Sequence, residues 1–356
     1  MPRTIVSAVS AAFDVARWDQ LRPGPAVQGG RWLSSMLSRL PGEPVTVLHG
    51  DGDGEVGFTG AVITDANAYE AYNPWMILRR PEPVFPEVHA SGRRVAARLG
   101  DEPEDMIPSL LLAAPGYLGD PVGPAAHRPE AVTECLSGVC AWARRAGLAT
   151  VSVLYTTPAG SAVVEPAVAA LGGASFDLTA RSMMRVTWCD DTEFLGGLPR
   201  RRRIEVQRQL RRLSALGCVV GPGDARMRFD EVIEGRCELL RWYGQPVDEA
   251  GERRRLSTLI DTFGADLLLF TVEADGHVVA HALFVADGRT LQNVYVGTTK
   301  KGRDTPYAHL AATYHAPMRQ ATRDRFDWID YGVGHADTKR VQGCDAVPLR
   351  GHLIPL

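Results

Sequence analysis

The chain has 356 residues, 45% of them hydrophobic and 23% charged, enough apolar content to bury a core across two domains of ordinary size. A net charge of −3 excludes a protein coated in basic surface, so any nucleic-acid contact must be a local patch. No apolar run reaches the roughly 18 residues of a membrane span. The six cysteines (135, 140, 189, 218, 237 and 344) show no CxxC spacing, which points to reduced thiols in a cytoplasmic protein and away from a structural zinc site.

In chain order, a helix is expected over about residues 30–40. Residues 44–49 and 55–63 read as strands around the turn Gly50-Asp51-Gly52-Asp53-Gly54. Tyr72-Asn73-Pro74-Trp75 is a rigid aromatic turn, and Met76-Ile77-Leu78 reads as a third strand. A helix over 130–146, a strand over 149–155, a helix over 163–171 and strands near 175–178 and 182–188 follow. The acidic run Asp190-Asp191-Thr192-Glu193 then marks a join.

Past the join, residues 200–217 form a helix closed by Gly217. Val206, Leu210 and Leu213 share one face, at spacings of three and four. Seven arginines lie between 200 and 212, at 200, 201, 202, 203, 208, 211 and 212, with one acid, Glu205, among them. Glu205, four residues on from Arg201, is too little acid to balance seven arginines, so they repel one another, which favours a phosphate-bearing ligand over a plain solvated face. Residues 267–273, 278–285 and 291–296 read as strands joined by the hairpin turns Asp275-Gly276 and Asp287-Gly288. A polar loop over 297–305 carries Lys300, Lys301 and Arg303, and a helix is expected from Pro306 to about Arg323. Residues 326–331 form a strand that breaks at Gly332 into a loop holding His335, Asp337 and Lys339. The chain has three lysines, at 300, 301 and 339, so a Lys in this loop reads as a chosen compact charge rather than habit. Both halves thus read strand, strand, strand, helix, strand, the mark of a structural duplication.

That order is the core of the GCN5-related N-acetyltransferase (GNAT) fold. A doubled core with an Arg-rich helix opening the second copy resembles the FemAB-like enzymes and their relatives, among them the cellulose-biosynthesis-type acetyltransferases and the peptidoglycan biosynthesis/recognition group. The motifs that carry the resemblance are Arg200 to Gly217, the run Asp330-Tyr331-Gly332-Val333-Gly334, and the tail His335, Lys339, Gly343, Pro348 and His352. They cover 195–356, while 30–190 match by element order alone. The resemblance implies an α/β (α+β) chain of two GNAT-like domains in tandem, each a mixed, mostly antiparallel sheet flanked by helices. The first domain, 1–190, would lie on the acceptor side, and the second, 191–356, on the donor side. It also implies an acyltransferase drawing on aminoacyl-tRNA, with no bound cofactor or metal. The usual acetyl-CoA signature places two glycines ahead of a helix start. The equivalent segment here, Lys300 to Pro306, holds one glycine, and Pro306 removes an N–H donor.

Acyl transfer to an amine needs the amine neutral, a donor for the tetrahedral oxyanion, and a counter-charge for the leaving group. Asp330 or Asp337 would accept or orient the amine proton, or else cap the loop. Lys339 would stabilise the oxyanion or a donor phosphate, and His335 would shuttle a proton. Arg200, Arg201, Arg202, Arg203, Arg208, Arg211 and Arg212, with Lys300, Lys301 and Arg303, are the candidates for holding tRNA phosphates. Tyr72, Asn73 and Trp75 are the leading acceptor candidates, with Trp242, Tyr243, His281, Tyr295 and Tyr331 also on that side; core packing competes for His281, Tyr295, Trp242 and Tyr243. No Gly-x-Ser-x-Gly, P-loop or recognised Cys-nucleophile motif is present, so direct transfer is the simpler route. Three readings stand: an aminoacyl-tRNA-dependent transferase, in specialised metabolism or in cell-wall bridging; an acyl-CoA or acyl-carrier-protein-dependent N-acyltransferase; and a non-catalytic GNAT-fold binding protein.

Overall fold

A computed structural model describes residues 4–8, 13–21, 24–80, 85, 88–100, 102–198 and 200–356. It divides into two compact units. The first comprises the described residues up to Arg181 with Val333–Ala336 and Ala346–Leu356; the second comprises Ser182–Gly332 with Asp337–Asp345. No helix among the described residues is long and apolar enough to cross a membrane.

The first unit holds β1 (Thr4–Ala8), β2 (Glu43–His49), β3 (Val56–Ile63), β4 (Ser109–Leu112), β5 (Thr150–Thr156) and β6 (Ala174–Arg185), the last four residues of which fall to the second unit. The closing strand β12 (Asp345–Pro355) inserts between β5 and β6, giving the order β1-β2-β3-β4-β5-β12-β6. β2, β3 and β4 pair antiparallel, whereas β4 and β5 run parallel, Ser109 opposite Thr150. The helix Pro129–Arg145 makes the crossover between them and packs Leu136 and Val139 on Val47, Leu112 and Val151. All seven residues of β5 are buried, as expected of a strand covered on both faces.

The second unit holds β7 (Val219–Gly223), β8 (Leu267–Ala274), β9 (His277–Asp287), β10 (Thr290–Thr298) and β11 (Trp328–Val333), paired in that order. The β7–β8, β8–β9 and β9–β10 pairs are antiparallel and β10–β11 is parallel. Asp275 and Gly276 both sit at positive φ, +54° and +79°, as the Asp-Gly hairpin requires. Each unit therefore carries three antiparallel strands, a helical crossover and a parallel fourth strand.

Several expected elements differ. Met76-Ile77-Leu78 is not a strand but part of the helix Pro74–Arg79. Asn73 Oδ1 accepts from the N–H groups of Trp75 (3.0 Å) and Met76 (3.3 Å), and Pro74 fills the first helical position, so the turn chemistry overrides the apolar run. The third strand is β4 instead. The two strands expected over 175–188 are one, β6. The expected loop 297–305 is the end of β10 and a short helix, Lys300–Asp304, capped by Thr299 Oγ1 on Gly302 N at 3.1 Å. The helix expected from Pro306 starts only at Ala308, after Tyr307 at φ +67°, and passes through a π-helical turn, Ala311–His315, before Ala316–Arg323. The tail 346–356 joins the first unit, because β12 pairs antiparallel with β5, His352 opposite Val153. His352, fully buried, fixes that strand. Its Nε2 shares a 2.7 Å hydrogen bond with Thr156 Oγ1 and its Nδ1 another of 2.7 Å with Ser175 Oγ.

Candidate active site

In the second unit β10 and β11 pair over three positions only, Thr290 with Trp328, Leu291 with Ile329 and Gln292 with Asp330. A bulge follows between Asn293 and Tyr295. β10 then continues to Thr298 and β11 to Val333 without pairing, so the two strands part. Arginines from two helices hold the bulge. Arg255 Nη2 donates to Val294 O at 3.0 Å and Arg236 Nη1 to Val296 O at 3.4 Å. Both guanidinium groups lie 5.1 Å from the Tyr295 ring. Buried Glu252 balances them, its Oε2 3.5 Å from Arg236 Nε and 3.9 Å from Arg255 Nη1. His281 stacks behind Tyr295, ring centroids 6.1 Å apart. Both rings are buried, and burial followed by the nearby Arg236 and His309 lowers the His281 pKa to about 3, which keeps it neutral. Sequence reasoning missed Arg236, Glu252 and Arg255. No element is assigned to their segments from sequence, and nothing local shows that Arg255 meets a bulge some 40 residues away.

The end of β11 gathers Asp330 and Lys339. Buried Asp330 accepts from Gly332 N at 2.8 Å. Gly332 takes φ +68°, a conformation that suits glycine. Lys339, on the helix Ala336–Val341, donates its Nζ to Tyr331 O at 2.7 Å and Gly332 O at 3.2 Å. It is half-buried and tied to the strand end rather than a free surface base. His335 is exposed, at φ +50°, and exposed Asp337 pairs with Arg340 at 2.7 Å. Tyr331 is buried, its ring 4.7 Å from Tyr314 and edge-on to Phe284.

The helix start after β10 is already occupied. Glu238 accepts from Lys300 N and also lies 3.5 Å from Arg303 Nη2. Lys300 pairs with Asp304 at 2.7 Å and Lys301 with Asp275 at 2.6 Å. Arg303 stacks 5.2 Å over Trp242, which is exposed, as is Tyr243. Gly302 serves packing, since a Cβ there would lie 2.0 Å from Val279 O and 2.5 Å from Thr298 Oγ1. Gly302→Ala is therefore expected to cost about 1–3 kcal/mol through overpacking against backbone. A chemical-denaturation midpoint equal to the wild type's would refute this reading of Gly302.

The Arg-rich segment is the helix Arg200–Ala215, with Val206, Gln209 and Leu213 on its buried face. Arg200, Arg201, Arg208, Arg211 and Arg212 are exposed, and Arg202 and Arg203 are half-buried. Arg202 donates to Gln342 Oε1, Arg203 to Gly196 O at 3.5 Å, and Arg208 pairs with Glu205 at 2.8 Å. Among the described residues no acid pairs with Arg200, Arg201, Arg211 or Arg212.

In the first unit Tyr72 and Asn73 are buried. Tyr72 stacks on Tyr117, centroids 5.1 Å apart, and its OH accepts from Gly116 N at 2.9 Å and Tyr117 N at 3.1 Å. Tyr155 packs edge-on against both rings, and buried Arg181 donates to Gly116 O at 3.0 Å. Exposed Tyr69 reaches Tyr117 OH at 3.2 Å. Trp75, half-buried, lies 5.6 Å from the Arg79 guanidinium and outside this cluster. Tyr117 and Tyr155 both take positive φ, +64° and +66°, unusual for aromatic residues and frequent at binding sites. Sequence reasoning missed Tyr69, Tyr117, Tyr155 and Arg181, and no local spacing signals them.

No protein-family model matches the chain, and no curated protein matches it in sequence. Solved structures do match in shape. FemX superposes with a TM-score of 0.62 at 11% identity, over 99% of this chain and 97% of that one. L-PGS from Bacillus licheniformis gives 0.57 at 11%, over 97% and 93%. A tandem GNAT protein from the clavulanic acid biosynthesis pathway gives 0.51 at 10%, over 99% and 98%. At such identities the likeness is one of fold, and the fold is a tandem GNAT-like one.

Proposed function

We propose that this protein is an acyltransferase that forms an amide or ester bond by direct attack of an acceptor on an aminoacyl-tRNA. The observation that carries the reading is the parting of β10 and β11 beyond Gln292 and Asp330, with Lys339 anchored at the end of β11. A gap between parallel strands exposes backbone groups to a ligand, and Lys339 brings positive charge to where an oxyanion develops. Asp330 orients the acceptor's proton, and exposed His335 and Asp337 serve proton exchange at the rim. The first unit, through Tyr69, Tyr72 and Tyr117, serves the acceptor; the second serves the donor.

Two features favour tRNA over coenzyme A. Glu238 holds the helix start where a pyrophosphate would need bare N–H groups, and Gly302 is committed to packing on Val279. The exposed arginines of the helix Arg200–Ala215 offer a phosphate-tracking face instead. An acyl-CoA or acyl-carrier-protein donor is the second reading, resting on the GNAT-like fold itself. Lys300, Lys301 and Arg303 already have acid partners, so they contribute less to the donor than the helix does.

Donor profiling tests the proposal. The protein is incubated with labelled aminoacyl-tRNAs or labelled acyl-CoAs and a panel of amines and alcohols, with an RNase-treated parallel. RNase-sensitive transfer from charged tRNA is expected; transfer from acyl-CoA alone would overturn the donor assignment. Replacing Arg201, Arg208, Arg211 and Arg212 by Gln is expected to weaken tRNA binding. It should also flatten the dependence of log K on log salt by about 0.7–0.9 for each phosphate no longer neutralised. An unchanged affinity and slope would make the helix a solvated face only.

A further inference from the structure

At the β7–β8 end of the second unit's sheet, away from the β10–β11 gap, lies a cavity of about 100 Å³. Its apolar walls include Leu210, Val220 and Phe270, and its polar side chains are His315, Arg319, Gln320 and Arg323. His315 is 5% exposed and ends the π-helical turn Ala311–His315, a distortion frequent at functional sites. Its protonation pattern follows from its neighbours. Gln209 Nε2 donates to Glu205 Oε1 at 3.0 Å, and a carboxylate only accepts. The Gln209 amide oxygen therefore faces His315 Nε2, 3.0 Å away, and Nε2 carries the proton. Nδ1 is left as a bare acceptor, buried and, among the described residues, without a hydrogen-bond partner. Such a group is costly unless something donates to it. Burial, with the charges of Arg202 and Arg319, lowers the His315 pKa to about 4, so the bare nitrogen persists at neutral pH.

We infer that this cavity binds an oxyanion that also carries a hydroxyl, the chemistry shared by hydrogen phosphate and a singly protonated phosphate monoester. Arg319 and Arg323 take the charge, and His315 Nδ1 accepts the P–O–H. Sulfate, which has no proton at neutral pH, leaves Nδ1 unpartnered and is disfavoured. The cavity would take this anion whichever acyl donor the protein uses.

Titration calorimetry on the full chain with inorganic phosphate, methyl phosphate and sulfate tests it. Phosphate is expected to bind roughly tenfold or more tightly than sulfate, the worth of one hydrogen bond to a charged partner. In His315→Gln the side-chain amide keeps its hydrogen bond with Gln209 but places no acceptor at Nδ1, so the preference over sulfate should vanish. Arg323→Gln, at an exposed position, should weaken both anions while leaving the fold intact. Methyl phosphate binding as well as phosphate assigns the site to monoesters, and its exclusion assigns it to the free ion; both support the site. Equal binding of phosphate and sulfate, or binding of neither, overturns it. If His315→Gln does not fold, the wild-type comparison and Arg323→Gln still decide.

Discussion

Lys339→Met is expected to lower single-turnover transfer from saturating charged tRNA by about 10²–10³, the usual loss when one oxyanion donor is removed. Lys339→Arg keeps the charge but spreads it over a planar fork, so it should lose less. From sequence the Lys looked detachable from the fold, but its Nζ bridges Tyr331 O and Gly332 O. Removing a charged donor from two carbonyls should therefore cost stability as well, on the order of 1–3 kcal/mol. The two effects separate when turnover is measured well below the variant's melting temperature. A Lys339→Met protein that melts lower but turns over at the wild-type rate would make the residue a strand-end clamp and nothing more.

Acid should destabilise this protein at a pH where most carboxylates are still ionised. His281, His315 and His352 are buried, and desolvation first of all lowers their pKa values to about 3, 4 and 3. Each was near 6.5 in the unfolded chain. A depressed histidine contributes stability that is fully present above pH 6.5 and is lost as pH falls toward the folded value, because only the unfolded state takes up the proton. At pH 5 each has lost about 2 kcal/mol, so the three together remove about 6 kcal/mol. Asp120, whose carboxyl burial pushes upward, works in the opposite direction. The measurement is melting temperature against pH from 7.5 down to 4.5, with His352→Gln in parallel. A steep fall below pH 6.5 is expected in the wild type, and a shallower one in the variant. A flat profile to pH 5 would mean that these imidazoles are hydrated or charged in the folded state.

Local signals read well wherever one element decides its own form. The Asp275-Gly276 and Asp287-Gly288 turns set the β8–β10 meander, and the 3.6-residue spacing of Val206, Leu210 and Leu213 set the Arg-rich helix. Lys339 was flagged by composition alone, in a chain with three lysines. Met76-Ile77-Leu78 misled because a short apolar run fits strand and buried helix alike, and the Asn73 cap decided between them. β1 and β7 went unnoticed because both are edge strands, and β7 carries Gly and Pro, which an edge tolerates. Other features had no local code at all. Arg350 O meets Thr156 across 194 residues, so only tertiary pairing could return the tail to β5. Asn73, expected to face an acceptor, is spent on a helix cap, and Glu238 closes a helix start that composition left looking basic and open. Periodicity records which face of an element is buried, but a site is made where distant elements meet. The partners that fix a proton on His315, pin the bulge at Tyr295 or tether Lys339 come from other turns, helices and strands, and packing alone brought them together.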